Sequence, residues 1–152
     1  GGRVRGGTFD VKALSQGSLL QDVSGYDKTR MNEDASMTSD QIVFAAYSPN
    51  KWASMWSGRT YHPDDINVDI FFFISTEDAQ AYYEDETKYY PKAMVEGRYL
   101  SVNAQPYSYS AEWPSGKYVI AVSVLQSGGE KLVQDVLRVY LDKYPVGASV
   151  LK

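Results

Sequence analysis

The stretch from Ile66 to Tyr90 constrains the fold more than any other part of the sequence. It first alternates apolar and polar residues, becomes continuously apolar over residues 70–74, and then reaches a Ser-Thr-Glu-Asp sequence typical of a helix start. Ser75 with Asp78 three residues later approximates a capping box, and Pro91 disfavours helix in the residue before it. The stretch therefore predicts a strand that runs directly into a helix ending at Tyr89-Tyr90.

A second block of similar order follows. Residues Lys117 to Leu125 are rich in β-branched side chains and predict a strong strand. After the Gly128-Gly129 pair, apolar residues recur at steps of three and four as far as Tyr144, which predicts an amphipathic helix. Two further strands are predicted at Gln41 to Ser48 and Arg98 to Ala104. The segment Gln105 to Gly116 contains two prolines and is interpreted as a turn-rich connection.

These elements predict an α+β fold. Four or more strands would form a mainly antiparallel sheet, and because each long helix is apolar on one stripe only, both would pack on one face as a two-layer sandwich. The order strand, connection, strand, helix, Tyr-Pro occurs in residues 41–91 and again in 98–145. This repetition suggests a (ββα)2 arrangement, although the residue identities of the two blocks match poorly.

The chain is expected to form one domain over residues 25–152, preceded by a flexible or extended arm over residues 1–24. The arm begins with a Gly- and Arg-rich sequence that has no periodicity. Its later part, from Thr8 to Leu20, fits either a short helix or a strand folded over the core. A length of 152 residues is ordinary for a single domain.

Composition excludes several classes of function. The formal net charge of −4 disfavours binding to nucleic acid, and the absence of cysteine excludes disulfides, thiol catalysis and cysteine-ligated metals. No apolar run approaches the roughly 20 residues that span a bilayer, so no transmembrane helix is expected. Because the chain starts at Gly1 rather than Met, we expect a processed, extracytoplasmic protein (secreted, periplasmic or lipid-anchored before processing) rather than a trimmed one.

Catalytic signatures are scarce. His62, the single histidine, lies near Asp64 and Asp65, and together they could hold a metal ion or act as acid and base. They show no spacing typical of a catalytic site, so the favoured interpretation is a His-Pro turn with capping aspartates. The Gly128-Gly129 pair lacks the spacing of a phosphate-binding loop. The sequence thus predicts no catalytic residue, no metal site and no cofactor.

Aromatic residues offer the best candidate surface. They make up 14% of the chain, and six of them lie in the two long connections: Trp52, Trp56, Tyr61, Tyr107, Tyr109 and Trp113. Alternation would point Tyr107 and Tyr109 to one side. If the connections meet at one end of the sheet, the rings would form a binding surface. The alternative is that they cover the sheet face that the helices leave open.

These observations favour a non-catalytic exported interaction domain. It would be an accessory or structural subunit of a larger assembly and would bind a protein partner, or another copy of itself, through the aromatic loops. The alternative is a small-ligand or carbohydrate-binding domain that uses Trp52, Trp56 and Trp113 as stacking platforms. A carboxylate- or metal-dependent hydrolase around His62 is less favoured.

Overall fold

The computed structural model describes residues 19–32, 41–49 and 65–147 of the chain. Within these ranges the chain forms seven strands and three helices. The strands are β1 (Tyr26–Asn32), β2 (Gln41–Pro49), β3 (Ile66–Phe72), β4 (Lys92–Val95), β5 (Arg98–Gln105), β6 (Ser108–Ser115) and β7 (Tyr118–Val124). The helices are α1 (Thr76–Glu86), α2 (Gly129–Leu132) and α3 (Gln134–Lys143). The α+β class predicted from the sequence is confirmed.

All seven strands belong to one antiparallel sheet with the order β1-β2-β3-β7-β6-β5-β4. The two strands with the strongest apolar patterns, β3 and β7, lie at its centre. In their register Ile70 faces Ile120, and Phe71 faces Val119. Because side chains alternate along a strand, these two pairs lie on opposite faces of the sheet. Ile70 thus marks one face and Phe71 the other.

The face that contains Ile70 and Ile120 packs against α3, and we call it the α3 face. Its cluster of buried side chains includes Val136, Leu137, Tyr140 and Leu141 from α3. These residues recur at steps of three and four, so they form the single apolar stripe that the sequence predicts. The α3 face therefore holds the main core of the protein.

The opposite face packs against α1, and we call it the α1 face. Phe73, Ala79, Tyr83 and Val119 form a separate buried cluster there. The prediction that both helices lie on one face is therefore wrong. The signal was present in the sequence: a continuously apolar strand indicates cover on both of its faces, whereas a strand covered on one face alternates. The (ββα)2 arrangement is not confirmed.

The N-terminal boundary of the core also differs from the prediction. Leu19, Leu20 and Val23 were assigned to the arm, but they are buried in the same cluster as the α3 side chains. The hydroxyl of Tyr144 donates to the carbonyl of Leu19 at 2.7 Å, and the backbone N–H of Gln21 donates to the Tyr140 hydroxyl at 2.8 Å. The core thus begins at residue 19 or earlier. The rest of the arm lies outside the described residues.

The predicted start of α1 is confirmed and its predicted end is wrong. Ser75 is the N-cap, and its hydroxyl accepts a hydrogen bond from the Asp78 backbone N–H at 3.0 Å. The helix ends at Glu86 rather than at Tyr89-Tyr90. Its C-cap is Thr87, whose hydroxyl donates to the Tyr83 carbonyl at 2.7 Å. The Thr87 backbone N–H donates to the same carbonyl at 3.0 Å, so this carbonyl at the end of the helix accepts two hydrogen bonds from its cap residue.

The segment Gln105 to Gly116 is mostly strand, contrary to the prediction of a long connection. A two-residue turn separates Gln105 from Ser108, which face each other in the β5–β6 hairpin. Strand β6 then continues through Pro114 and pairs with β7. The alternation from residue 108 to 113 is an ordinary strand pattern, and the two prolines concealed it. Every described helix is too short or too polar to cross a membrane.

Candidate functional site

The structure does not assemble the six predicted rings into one surface. Tyr109 is 4% exposed and Trp113 is fully buried, both on the α3 face. The indole N–H of Trp113 donates to the carbonyl of Tyr144 at 2.8 Å. These two residues are core residues, and their assignment to an exposed surface is wrong.

The remaining predicted rings divide into two groups. Tyr107 is 77% exposed and occupies the two-residue turn, where strand alternation does not apply, whereas Tyr109 is buried, so the two rings do not form one exposed surface. Trp52, Trp56 and Tyr61 lie outside the described residues. His62 and Asp64 also lie outside them, while Asp65 is buried next to the start of β3.

Other exposed apolar side chains are present on the described surface. They are Ile74, Tyr89, Met94, Tyr99, Tyr107, Leu125 and Leu132. Two of them, Met94 and Tyr99, face each other directly across β4 and β5, with 66% and 61% of their surface exposed. Tyr99 lies on the same side of β5 as Ser101, whose hydroxyl is hydrogen-bonded to Tyr83 of α1. We call Met94 and Tyr99 the edge pair; it lies on the α1 face.

A groove of about 480 Å³ lies between β4 and the two C-terminal helices. Its lining includes Glu96, Gln134 and Leu137. Glu96 accepts hydrogen bonds from Arg138 at 2.8 Å and from Gln134 at 3.2 Å. These bonds hold the pKa of Glu96 below its usual value. The carboxylate of Glu96 therefore connects the β4–β5 turn to α3 through these hydrogen bonds and is not available to a ligand.

The most unusual polar residue of the described chain is Glu112 on β6. It is 7% exposed, and its Oε2 atom is buried without a hydrogen-bond partner. Buried polar atoms in folded proteins nearly always have such a partner, because an unpaired one loses its hydration without compensation. The buried carboxyl of Glu112 therefore either lowers the stability of the folded chain or serves a function.

Sheet register places Glu112 in a row of residues across the α1 face. Asp69 of β3 faces Ala121 of β7, Ala121 faces Glu112 of β6, and Glu112 faces Ser101 of β5. Two carboxyl groups thus flank the short side chain of Ala121. The next row is also polar, and it contains Asn67, Ser123, Ser110 and Asn103.

The electrostatic environment of Glu112 is negative. Burial is the main cause that raises its pKa, to about 7, and the charges of Glu86 and Asp69 raise it further. Glu86 lies at the last turn of α1, and Asp69 lies on β3. A carboxyl group that titrates near neutral pH on the face of a sheet is a candidate functional group.

A second unpartnered acceptor lies on the same face. The Oδ1 atom of Asn67 is buried and has no hydrogen-bond partner. When Glu112 is ionised, both open positions are acceptors, so the α1 face then offers places for hydrogen-bond donors. Within the described ranges no three His, Asp or Glu side chains are arranged to hold a metal ion.

Sequence reasoning missed Glu112 because it placed the residue in a loop. Once residues 108–115 are recognised as a strand, Glu112 stands between Ala111 and Trp113 on a segment buried on both faces, and the carboxyl becomes conspicuous. Comparisons with family models, with curated proteins and with solved structures find no match to this chain.

Proposed function

We propose that this protein is a non-catalytic interaction domain, an accessory or structural subunit that binds a protein partner through the edge pair. The observation that carries this proposal is the exposure of Met94 and Tyr99 at directly opposed positions of the sheet. Methionine and tyrosine are enriched at protein interfaces, where they supply apolar contact area.

The position of α1 explains why this part of the sheet is open. The helix packs over β6 and β7, and its Tyr83 reaches only as far as Ser101 of β5. The edge pair lies one row further along β5 and on the outer strand of the sheet. A partner could therefore cover Met94 and Tyr99 without displacing the helix.

A charged group borders this apolar patch. Lys92 lies on the same strand and face as Met94, and its Nζ atom is 5.5 Å from the centre of the Tyr83 ring. An apolar centre with a charged rim is the usual organisation of a protein interface. An extracytoplasmic location, expected from the sequence, is part of the same proposal, and fractionation of the native cells tests it.

Photocrosslinking from position 99 tests the proposed surface. A benzophenone amino acid replaces Tyr99 in one variant and the exposed Lys143 in a control variant, since Lys143 ends α3 on the other side of the sheet. We expect a defined crosslinked partner from position 99 only. Tyr99→Ser should then weaken binding of that purified partner by at least about tenfold, because interface aromatics often carry most of the affinity.

Three outcomes would contradict the proposal. The first is the absence of any crosslink from position 99, and the second is an equal crosslink from position 143. The third is a partner that binds the Tyr99→Ser variant unchanged but is lost in Tyr107→Ser, which would move the interface to the β5–β6 turn.

A ligand-binding domain is the second candidate, and the unpartnered carboxyl of Glu112 favours it. The carbohydrate version of this hypothesis relied on Trp113 as a stacking platform, and the burial of that ring removes it. The hydrolase hypothesis around His62 and Asp64 stays a prediction.

A further inference from the structure

We propose that the α1 face binds a ligand through an ammonium or guanidinium group, with the Glu112 carboxylate as the main acceptor. This site is separate from the edge pair and does not depend on it. The proposal starts from the buried Oε2 atom of Glu112, which accepts no hydrogen bond. A cationic N–H donor would satisfy that atom and neutralise the charge at once.

The sheet geometry places Glu112 and Asp69 on either side of a small side chain. Glu112 and Asp69 lie on strands separated by β7, which corresponds to roughly 10 Å between their backbones at the usual strand spacing. Between them stands Ala121, whose side chain is a single methyl group. A cation above that methyl group would lie between two carboxyl groups.

The charges around this position favour a cation. Among the described residues, the charged groups that act on Glu112 are Glu86 of α1 and Asp69 of β3, and both are negative. The nearest described basic residue in the same row is Lys92 of β4, which lies over the Tyr83 ring beyond Ser101. The field of these groups therefore attracts an ammonium or guanidinium group and repels an anion.

An organic cation fits this site better than a metal ion or a neutral sugar. The described acidic residues do not supply the three or more converging oxygen ligands that a divalent ion usually takes. A sugar would satisfy the acceptors but would gain nothing from the negative field. A second N–H group of the same ligand could reach toward the unpartnered Oδ1 atom of Asn67.

Two sources can supply the same chemistry: a free small amine, or a lysine or arginine side chain of a protein. The experiment separates them. Isothermal titration calorimetry measures binding of cadaverine and agmatine, and of the tripeptides Gly-Lys-Gly and Gly-Arg-Gly. The full chain is compared with Glu112→Gln and with the control Glu77→Gln, which removes the same charge from the exposed first turn of α1.

We expect at least one probe to bind the wild-type chain and the control with equal affinity, and Glu112→Gln to bind it at least about tenfold more weakly. Binding should also release a proton at pH 6 and none at pH 8. The carboxyl, with a pKa of about 7, is protonated at the lower pH and must ionise to pair with the cation.

Binding of the free amines alone would indicate a small-molecule ligand, and stronger binding of the tripeptides would indicate a basic protein segment. The proposal is overturned if no probe binds at concentrations up to about 10 mM, a range in which binding would still be worth roughly 3 kcal/mol. It is equally overturned if Glu112→Gln binds as the wild type does, or if proton release persists in that variant.

Discussion

At the scale of single residues, Glu112 links the electrostatics of the α1 face to stability. Its carboxyl has a pKa of about 7 in the folded chain, mainly because of burial, against an ordinary value of 4.5. The folded state therefore holds this proton more tightly than the unfolded state does. It follows that the free energy of unfolding decreases as the pH rises from about 4.5 to about 7 and stays low above that range.

Glu112→Gln should remove this dependence, because the amide does not titrate. At pH 8 we expect the variant to be more stable than the wild type by up to roughly 3 kcal/mol, and near pH 4 the two should be similar. Urea unfolding at both pH values measures the difference. The control Glu77→Gln should leave the pH dependence as in the wild type. If the free energy of unfolding depended on pH equally in Glu112→Gln and the wild type, the raised pKa would not be the cause of that dependence.

At the scale of elements, the approach of α2 to the sheet depends on a glycine. A Cβ atom at Gly129 would lie 2.6 Å from Cβ of Tyr109 and 2.8 Å from Cγ1 of Val124. Both atoms are close to the backbone of strands in the sheet, so neither can move aside cheaply. The helical segment therefore contacts β6 and β7 through its own backbone.

Gly129→Ala should destabilise the protein by roughly 1–3 kcal/mol, because the added methyl group must push α2 away from the sheet. Glu130→Ala is the matched control: the neighbouring residue is exposed, and its change should stay within about 0.5 kcal/mol. Chemical denaturation measures both. A Gly129→Ala variant as stable as the control would show that α2 can shift without loss of packing.

The elements that the sequence predicted correctly are those with a local signal. The Ser75 cap, the central strands and the apolar stripe of α3 each depend on residues within a few positions of one another. The continuous apolar run of β3 indicated cover on both faces of the sheet, but which helix covers which face could not be predicted, because it depends on where α1 turns after β3. Strand β4 has four residues and no repeated pattern, and β6 carries a proline, so neither gave a readable signal.

At the scale of the whole molecule, three tyrosine hydroxyls attach the start of the described chain to elements far along it. Tyr47 of β2 donates to the carbonyl of Gln21 at 2.5 Å, Tyr140 accepts from the N–H of Gln21, and Tyr144 donates to Leu19. Burial raises the pKa of the hydroxyls of Tyr47, Tyr140 and Tyr144, so all three remain neutral. Hydrogen bonds with β2, with α3 and with the C-cap of α3 therefore hold residues 19–21 in place.

Tyr144→Phe should destabilise the protein by about 0.5–1.5 kcal/mol, because the carbonyl of Leu19 loses its 2.7 Å donor and keeps only the side-chain amide of Gln21 at 3.4 Å, while the ring packing is kept. Tyr99→Phe provides the control, since the exposed Tyr99 makes no hydrogen bond through its hydroxyl in the described structure. Thermal unfolding of both variants measures the difference. Equal unfolding temperatures would show that the Leu19 bond contributes nothing.

The N-terminal boundary of the domain could not be predicted from composition, because Tyr144, which binds Leu19, lies far along the chain. Nothing near Leu19 in the sequence indicates that this partner is more than 100 residues away. Likewise, Trp113 was interpreted as a surface ring because its acceptor, the carbonyl of Tyr144, lies beyond the next strand and two helices. Partners this far along the chain give no signal in a local pattern.

The pairing of β3 with β7 has a consequence for synthesis of the protein on the ribosome. A nascent chain that ends before Tyr118 can form the β2–β3 hairpin, but β3 still lacks the neighbour that completes the centre of the sheet. Contacts of this sequence separation form late and slowly. The apolar run of β3 therefore stays without its central neighbour until β7 has been synthesised, and during that interval it is prone to aggregation.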